Sequence, residues 1–318
     1  MGRLKEILAI PEAGIVIMGV SLALLFQAIN PAFLGLGNVQ SMMRSLAYSG
    51  IVGVGLAICL ISGIIDLSVG GVVGLSGIVF AKALQADASL ALAILLALGI
   101  GIFAGLLNSF VIVKMKVTPF IGTISTMWIF RGLASFVSNG FTIYPLPEIA
   151  TDIGGAMPFG LSWAFIIMAA LMILFDILLA TTVWGLCVRA VGSDEETAFN
   201  TEVNVSWIKI STLLITGVLS ASAGVLATMM LGAGAPTLGT GWELIAITAC
   251  AIGGVSLFGY TGNMIGLFLG LFTLQIIQNG IIVIGISSYF QTVVVGAILL
   301  GAMVLEVKRR KTLNLERI

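Results

Sequence analysis

The sequence predicts an all-α, polytopic membrane protein of about ten transmembrane helices. Three observations lead to this fold class: 59% of the 318 residues are hydrophobic, only 9% are charged, and the mean hydropathy is +1.19. A soluble domain ordinarily carries roughly a quarter charged residues. Each helix that crosses a hydrocarbon core of roughly 30 Å needs about 20 apolar residues. We therefore expect a single transmembrane domain over residues 1–318.

Ten apolar segments are long enough to form spans when hydropathy is averaged over a window of about 19 residues. Between the first two lies a segment from Phe33 to Met43 that carries Asn38 and Gln40. It is too polar to span, and we expect it at the membrane interface. The predicted spans lie near 13–29, 46–64, 67–85, 89–113, 119–139, 161–181, 209–231, 243–259, 264–285 and 289–306.

The basic residues are distributed unevenly between the predicted loops. With ten spans and a cytoplasmic N-terminus, eleven of the 14 basic residues fall on one side. Loops rich in Lys and Arg stay in the cytoplasm, so both termini are expected there. These eleven residues are Arg3, Lys5, Lys114, Lys116, Arg189, Lys209, Lys308, Arg309, Arg310, Lys311 and Arg317.

Two glycine-rich joins interrupt the apolar pattern. The first, Ile61 to Gly71, is too short for an aqueous loop and indicates a sharp turn or a broken helix at the membrane boundary. The second runs from Ile252 to Gly262. Two halves of five spans run in opposite directions, and interruptions at corresponding positions are typical of inverted repeats in transporters. An inverted repeat of two five-helix halves is one arrangement that this pattern allows.

The longest polar stretch on the predicted cytoplasmic side covers residues 182–208. Ser193 and Glu196 have the spacing of a capping box, and acidic residues suit the first turn of a helix. The stretch predicts a short helix that starts at Ser193 and lies outside the membrane. A connector resting on lipid headgroups is the alternative. The acidic start suits an anionic membrane surface poorly and favours a protein partner.

A carboxylate stands in the first join, where Asp66 precedes Ser68 and Gly70. One interpretation is that Asp66 caps the N–H groups that open the next helix. The other is a second contact near a cytoplasmic partner. The two interpretations are compatible.

One charged pair is expected within the membrane. Arg131 is about twelve residues into its span, hence roughly 18 Å from the inner end at 1.5 Å per residue. A charge at that depth should face protein or water. Glu243 stands at the outer start of its own span and matches Arg131 in depth. We therefore hypothesise an Arg131–Glu243 ion pair, for which a structural role is favoured over a substrate contact.

Uncharged polar residues within the spans are candidates for lining a path for a hydroxylated solute. Such groups more often bond between helices, so the second interpretation stays open for each of them. The candidates for the path are Asn108, Thr123, Thr126, Gln278 and Asn279.

The sequence does not contain the residues that several functional classes require. There is no His, and Cys59, Cys187 and Cys250 have no paired spacing, so a metal site, a disulfide and His-based catalysis are not expected. No Walker motif occurs, so any ATP hydrolysis belongs to another subunit. The net charge of zero does not favour nucleic acid as a partner. No catalytic residue and no cofactor are assigned to this chain.

The first join and several later segments carry a family resemblance. Residues 61–70, ISGIIDLSVG, resemble the ISGGIDLSVGS signature of ribose-type importer permeases driven by ATP-binding cassettes, which carry monosaccharides or autoinducers. Further segments agree in order: Gly105 to Asn108, Thr118 to Thr123 with Met127, Arg131 to Ala134, Arg189 to Gly192, Gly239 to Leu244 and Gly253 to Leu257. The resemblance covers nearly the whole chain.

The resemblance implies a multi-pass permease of the bacterial inner membrane that pairs with a second permease. It implies two cytoplasmic ATP-binding subunits, which hold ATP and Mg, and a periplasmic solute-binding protein. The 193–203 helix would then be the coupling helix that these subunits push. The implied coupling residues are Arg189, Gly192, Ser193, Asp194, Glu195, Glu196, Ala198 and Phe199.

The sequence also departs from the family pattern. Ser193-Asp194 stands where Gly-Asn is usual, and Ile245 stands where Asp commonly follows Glu-Leu. The departure at the coupling helix leaves open the identity of the ATPase partner and the choice between homodimer and heterodimer. The sequence does not specify the solute beyond a neutral polar molecule. An ion-coupled secondary transporter is the leading alternative, although deep carboxylates for ion coupling are scarce. A passive channel and an intramembrane enzyme rank below it.

Overall fold

The computed structural model describes residues 13–287 and 289–312. Of the basic residues above, Arg3, Lys5 and Arg317 lie outside this range. The helices are α1 Ala13–Ile29, α2 Leu36–Ile61, α3 Val69–Gln85, α4 Leu90–Ser109 continued by a π-helical turn Phe110–Lys114, α5 Pro119–Ser138, α6 Glu148–Gly155, α7 Trp163–Thr181, α8 Val183–Ser193, α9 Glu195–Asn200, α10 Val205–Leu231, α11 Trp242–Ile252, α12 Met264–Val283 and α13 Tyr289–Thr312.

The predicted fold class is confirmed: the protein is an all-α polytopic membrane protein. Seven helices in the described residues are long and apolar enough to cross a membrane, namely α2, α4 with its π-helical turn, α5, α7, α10, α12 and the segment Tyr289–Lys308 of α13. Four shorter apolar helices, α1, α3, α8 and α11, accompany them. Three of the ten predicted spans therefore correspond to helices of 17 residues or fewer.

Side chains at the helix starts explain several boundaries. Ser89, Ser162 and Asn204 each accept a backbone N–H from the first turn of the helix that follows, which satisfies a donor without an intrahelical partner. At the other end, α10 stops at Gly232, whose φ of 63° is accessible to glycine at little cost. These local signals fix where the long helices begin and end.

Helix α2 begins ten residues earlier than the predicted span 46–64. The segment Phe33 to Met43, predicted to be interfacial, mostly forms the first two turns of this 26-residue helix. Polar residues in these turns lower the window-averaged hydropathy, which hid the helix. The correction places Arg44 inside a membrane-length helix.

Helix α11 is much shorter than the predicted span 243–259. It ends at Ile252 after 11 residues, and a loop over 253–263 follows. Gly254 and Tyr260 in this loop have φ of 78° and 71°, values that an α-helix does not contain. The segment is apolar, so hydropathy alone could not locate the end of the helix.

The order of helices is consistent with two similar halves, α1–α5 and α7 with α10–α13. The long helix α2 packs against α10, α11 and α12, and the long helix α10 packs against α2, α3 and α4. Each short helix, α3 or α11, packs against the two helices that follow it. The corresponding breaks are then 62–68 and 232–241. The two joins paired in the sequence analysis do not occupy corresponding places.

Both breaks run back into the bundle. Residues 234–239 follow α3 from Gly77 to Gly70, since a Cβ at Gly74 would lie 3.0 Å from the Leu238 carbonyl oxygen and one at Gly70 would lie 2.7 Å from that of Gly239. Helices α3 and α11 thus begin inside the protein rather than at its surface. Non-helical backbone at membrane depth is tolerated where protein surrounds it.

The bundle has two distinguishable ends. Helices α8 and α9 lie at one end with the end of α2 and the 253–263 loop, where the Tyr260 N–H donates to the Ile61 carbonyl. The start of α2, helix α6 and the end of α10 lie at the other, where Ile143 bridges to Gly234. We call them the α8 end and the α6 end.

Candidate functional site

The 62–68 turn is tied into the bundle by a chain of hydrogen bonds. The N–H and hydroxyl of Ser68 both donate to Oδ1 of Asp66, at 2.9 and 2.6 Å. The Asn108 side-chain amide donates to the Ser68 hydroxyl, and the Thr126 hydroxyl donates to Oδ1 of Asn108, each at 2.7 Å. These bonds order the start of α3. Asp66 is only 1% exposed, so it presents no surface to another subunit in this conformation.

The residues predicted to line a path are divided between two places. Asn108, Thr123 and Thr126 are buried around the 62–68 turn, and Thr123 donates to the Ile65 carbonyl at 3.1 Å. Asn279 lies elsewhere and pairs with Asn38 through two reciprocal bonds of 2.8 and 2.9 Å. Next to it, Gln278 accepts a bond at its backbone carbonyl. Apart from Gln278, each of these side chains bonds to another helix or to the 62–68 turn.

We predict that Asn108→Ala lowers the free energy of unfolding by about 1–2 kcal/mol, because it removes two buried hydrogen bonds between elements. The measurement is the unfolding transition of the detergent-solubilised protein. Ser109→Ala is the matched control, since the buried Ser109 hydroxyl donates only to Gly105 in its own helix. Equal losses for the two variants would contradict a role for Asn108 in holding the turn.

The starts of α3 and α11 meet at Glu243. Its Oε1 accepts a hydrogen bond from Nη2 of Arg131 at 2.8 Å, and the two side chains are 8% and 21% exposed. The predicted ion pair is thus present in the structure. The second oxygen, Oε2, is buried, has no hydrogen-bond partner in the described residues, and borders Gly70 in the first turn of α3. Both helix dipoles direct their positive ends to this carboxylate.

The coupling residues predicted from the family lie together at the α8 end. Arg189, Ser193, Asp194 and Ala198 line one open groove of about 310 Å³. Ala198 is buried, which anchors α9 to the bundle, whereas Phe199 is 70% exposed. Glu195 binds Lys209 at 2.6 Å. The remaining two, Gly192 and Glu196, lie on α8 and α9 beside them.

The predicted capping box at Ser193 is wrong. Ser193 is the last residue of α8, and Asp194 is the N-cap of α9, with its side chain accepting the Thr197 N–H. The helix covers Glu195–Asn200 rather than residues 193–203. Ser and Asp are both favoured at the N-cap, so the sequence alone does not decide between Ser193 and Asp194. The chain turn between α8 and α9 decides which of them points at the first turn.

Protonation of Asp194 should weaken this cap. Hydrogen bonding from the Thr197 N–H lowers the pKa of the Asp194 carboxyl below its usual value. Because the folded pKa is depressed, the stabilisation is present at neutral pH and is lost as the pH falls through that depressed pKa. Asp194→Ala should increase hydrogen exchange at the Thr197 amide at pH 7. Asp194→Asn, which keeps an acceptor, should protect that amide without the acid dependence; loss of protection in both variants would contradict the cap.

Three backbones meet at Gly192. A Cβ at this position would overlap the Ile61 carbonyl oxygen and would reach the Tyr260 nitrogen at 2.9 Å. Arg189, one turn earlier, donates to the carbonyls of Tyr260 and Gly262 at 3.2 and 3.0 Å. Gly192 and Arg189 therefore join α8 to the end of α2 and to the 253–263 loop.

Two carboxylates that the sequence analysis did not assign also hold this loop. Glu306 accepts hydrogen bonds from the Ser256 hydroxyl at 2.7 Å and from the Leu257 N–H at 3.3 Å. Asp176 accepts the Met264 N–H at the start of α12 at 2.9 Å. The sequence offered one signal for these two residues: few of the 14 acidic residues lie in apolar segments, so a carboxylate there needs a buried partner. Their partners are backbone groups, which no spacing pattern reveals.

The membrane-length helices, together with the shorter apolar helices that begin within the bundle, define the class of a polytopic integral-membrane protein. Comparison with known proteins makes the assignment specific: the chain belongs to the family described as branched-chain amino acid transport system / permease component, whose model matches residues 38–303. A permease component is the transport subunit of such a system. No solved structure matches the chain significantly.

The chain is similar to several curated permeases over most of its length. It is 34% identical to the ribose import permease protein of Bacillus subtilis over 91% of this chain and 90% of that protein. It is 34% identical to the L-arabinose transport system permease of Escherichia coli over 88% and 86% of the two chains. An autoinducer 2 import permease of an Enterobacter species is 31% identical over 90% and 84%.

Proposed function

We propose that this chain forms the translocation path of an ATP-driven importer for a sugar or a sugar-like neutral polar solute. The observation that carries the proposal is the similarity, over about nine tenths of the chain, to permeases named for ribose, arabinose and autoinducer 2 import. The family description names branched-chain amino acids. The similar full-length proteins favour the sugar class instead.

The α8 end is the cytoplasmic side in this proposal, and both termini lie there. Val183, Leu186 and Phe199 are exposed apolar side chains on the two short helices and suit a protein partner. That partner is a separate ATP-binding subunit, which holds ATP and Mg. Residues 182–208 form the coupling segment of a single transmembrane domain in the bacterial inner membrane.

The other partners follow from the same assignment. A periplasmic binding protein delivers solute to the α6 end, and a second permease subunit completes the path. Closure of the ATP-binding subunits moves α8 and α9. Through Gly192 and Arg189 this movement reaches the end of α2 and the start of α12, which change the access of the solute site from one side to the other.

The test is purification from the native membrane, followed by reconstitution into proteoliposomes with ATP enclosed. The expected result is recovery with an ATP-hydrolysing subunit and uptake of ribose or arabinose that requires ATP and added binding protein. Uptake by the chain alone, driven by an ion gradient without ATP, would instead establish a secondary transporter.

A further inference from the structure

A polar stripe occupies one face of α2 near the α6 end. Ser41, Arg44, Ser45 and Tyr48 follow the spacing i, i+3, i+4 and i+7, which places them on one side of a helix. Ser41 and Ser45 are exposed, and Arg44 and Tyr48 are partly exposed. The stripe extends from about 8 to about 18 Å below the first residue of α2 at 1.5 Å per residue. It therefore lies at membrane depth.

Lipid does not suit this face. A charged side chain within the hydrocarbon region faces protein or a water-filled path. Within the described residues the Arg44 guanidinium donates to two thioether sulfurs, Met157 at 2.9 Å and Met230 at 3.7 Å, and thioether sulfur is a weak acceptor. Its Nε is buried and has no hydrogen-bond partner in the described residues. The guanidinium therefore has unused donors beside an exposed polar face.

An aromatic pair closes the lower end of the stripe. Tyr48 stacks on Trp242 with ring centroids 6.1 Å apart and an interplanar angle of 12°. Below Tyr48, every residue of α2 from Ser49 to Ile61 is buried. Trp242 is also the first residue of α11 and precedes Glu243 at the junction of the broken helices. The stripe is thus open towards the α6 end and ends at the junction.

We propose that Ser41, Arg44, Ser45, Tyr48 and Trp242 line a water-filled vestibule in which the solute binds before it crosses the junction. This inference rests on the proposed function and adds the contacts that the solute makes. A sugar fits them chemically, because its hydroxyls accept from the guanidinium and the serine hydroxyls, and its C–H face packs on the aromatic pair. A face buried against a second copy of this chain is the competing arrangement.

Thiol labelling of the assembled importer in proteoliposomes tests the vestibule. The background carries Cys187→Ser, because Cys59 and Cys250 are buried whereas Cys187 is partly exposed. Ser41→Cys should react with a charged, water-soluble thiol reagent. Leu95→Cys should not, because Leu95 is an exposed apolar residue at the same sixth position in α4, where we expect it to contact lipid. Ribose or arabinose, whichever is transported, should slow the labelling of Ser41→Cys.

Uptake kinetics of Arg44 variants test the solute contact itself. Arg44→Met should raise the solute concentration for half-maximal uptake about tenfold, because one charge-assisted hydrogen bond to the solute is lost. The maximal rate should change less. Arg44→Lys should recover part of the affinity, since it keeps the charge. A Ser41→Cys variant that labels no faster than Leu95→Cys would overturn the vestibule. Absence of ATP-dependent uptake in the unmodified complex would overturn the proposed function, and the labelling would still report access of water.

Discussion

Gly192→Ala is expected to reduce ATP-driven uptake at least about tenfold while ATP hydrolysis continues. The added methyl would overlap the Ile61 carbonyl oxygen, so α8 must shift away from α2 and from the 253–263 loop. Overpacking of this kind costs about 1–3 kcal/mol, and a bias of about 1.4 kcal/mol changes a two-state equilibrium tenfold. The shift separates the coupling helices from the elements that they move.

The measurement compares uptake with ATP hydrolysis in the same proteoliposomes. Gly99→Ala is the matched control, because a Cβ at Gly99 meets no atom within 4 Å and alanine favours the helix. Gly99→Ala should leave both rates near those of the unmodified protein. Full uptake in the Gly192→Ala variant would show that the contact at Ile61 does not transmit movement.

Loss of either partner from the Arg131–Glu243 pair is expected to lower the free energy of unfolding by about 3 kcal/mol. The value lies at the lower end of the range for a buried pair because the Arg131 side chain remains 21% exposed. Arg131→Met leaves a buried carboxylate, and Glu243→Gln leaves a partly buried guanidinium. The measurement is unfolding of the solubilised protein. Glu195→Gln, in an exposed pair with Lys209, should cost at most about 1 kcal/mol.

The double variant Arg131→Met with Glu243→Gln should be less destabilised than the sum of the single variants, since no unpaired charge remains. The exchanged variant, Arg131→Glu with Glu243→Arg, should recover little of the lost free energy of unfolding. Glu243 stands at two helix starts, and a guanidinium there would face the positive ends of both dipoles. Additive losses in the double variant would show that the two side chains do not interact.

Much of the architecture could be predicted because it depends on composition and local chemistry. The break after Ile61 follows from glycine and a carboxylate in an apolar stretch, and the Arg131–Glu243 pair follows from matching depths. The start of α2 was missed because hydropathy averages over faces, so a polar stripe on one side cancels an apolar stripe on the other. The end of α11 was missed because its apolar continuation turns at Gly254 with φ of 78°.

The site could be predicted only in part, and the limit is physical. Depth along a span can be counted from the sequence, which is why two charged residues could be paired. Rotation about the helix axis and the partner of a hydrogen bond depend on packing between distant segments. Asn108 was therefore a candidate for the path, whereas the structure places its side chain between Ser68 and Thr126.

The length of α11 has a consequence for biogenesis. A helix of 11 residues is about 16 Å long and cannot cross a bilayer by itself. The insertion machinery therefore has no complete span to release at this point of the chain. Residues 234–239 pack along the glycine row of α3, which is synthesised earlier. We therefore expect the N-terminal half to act as a template for the C-terminal half, so that co-expressed half-chains assemble only when the first contains an intact Gly70, Gly74 and Gly77.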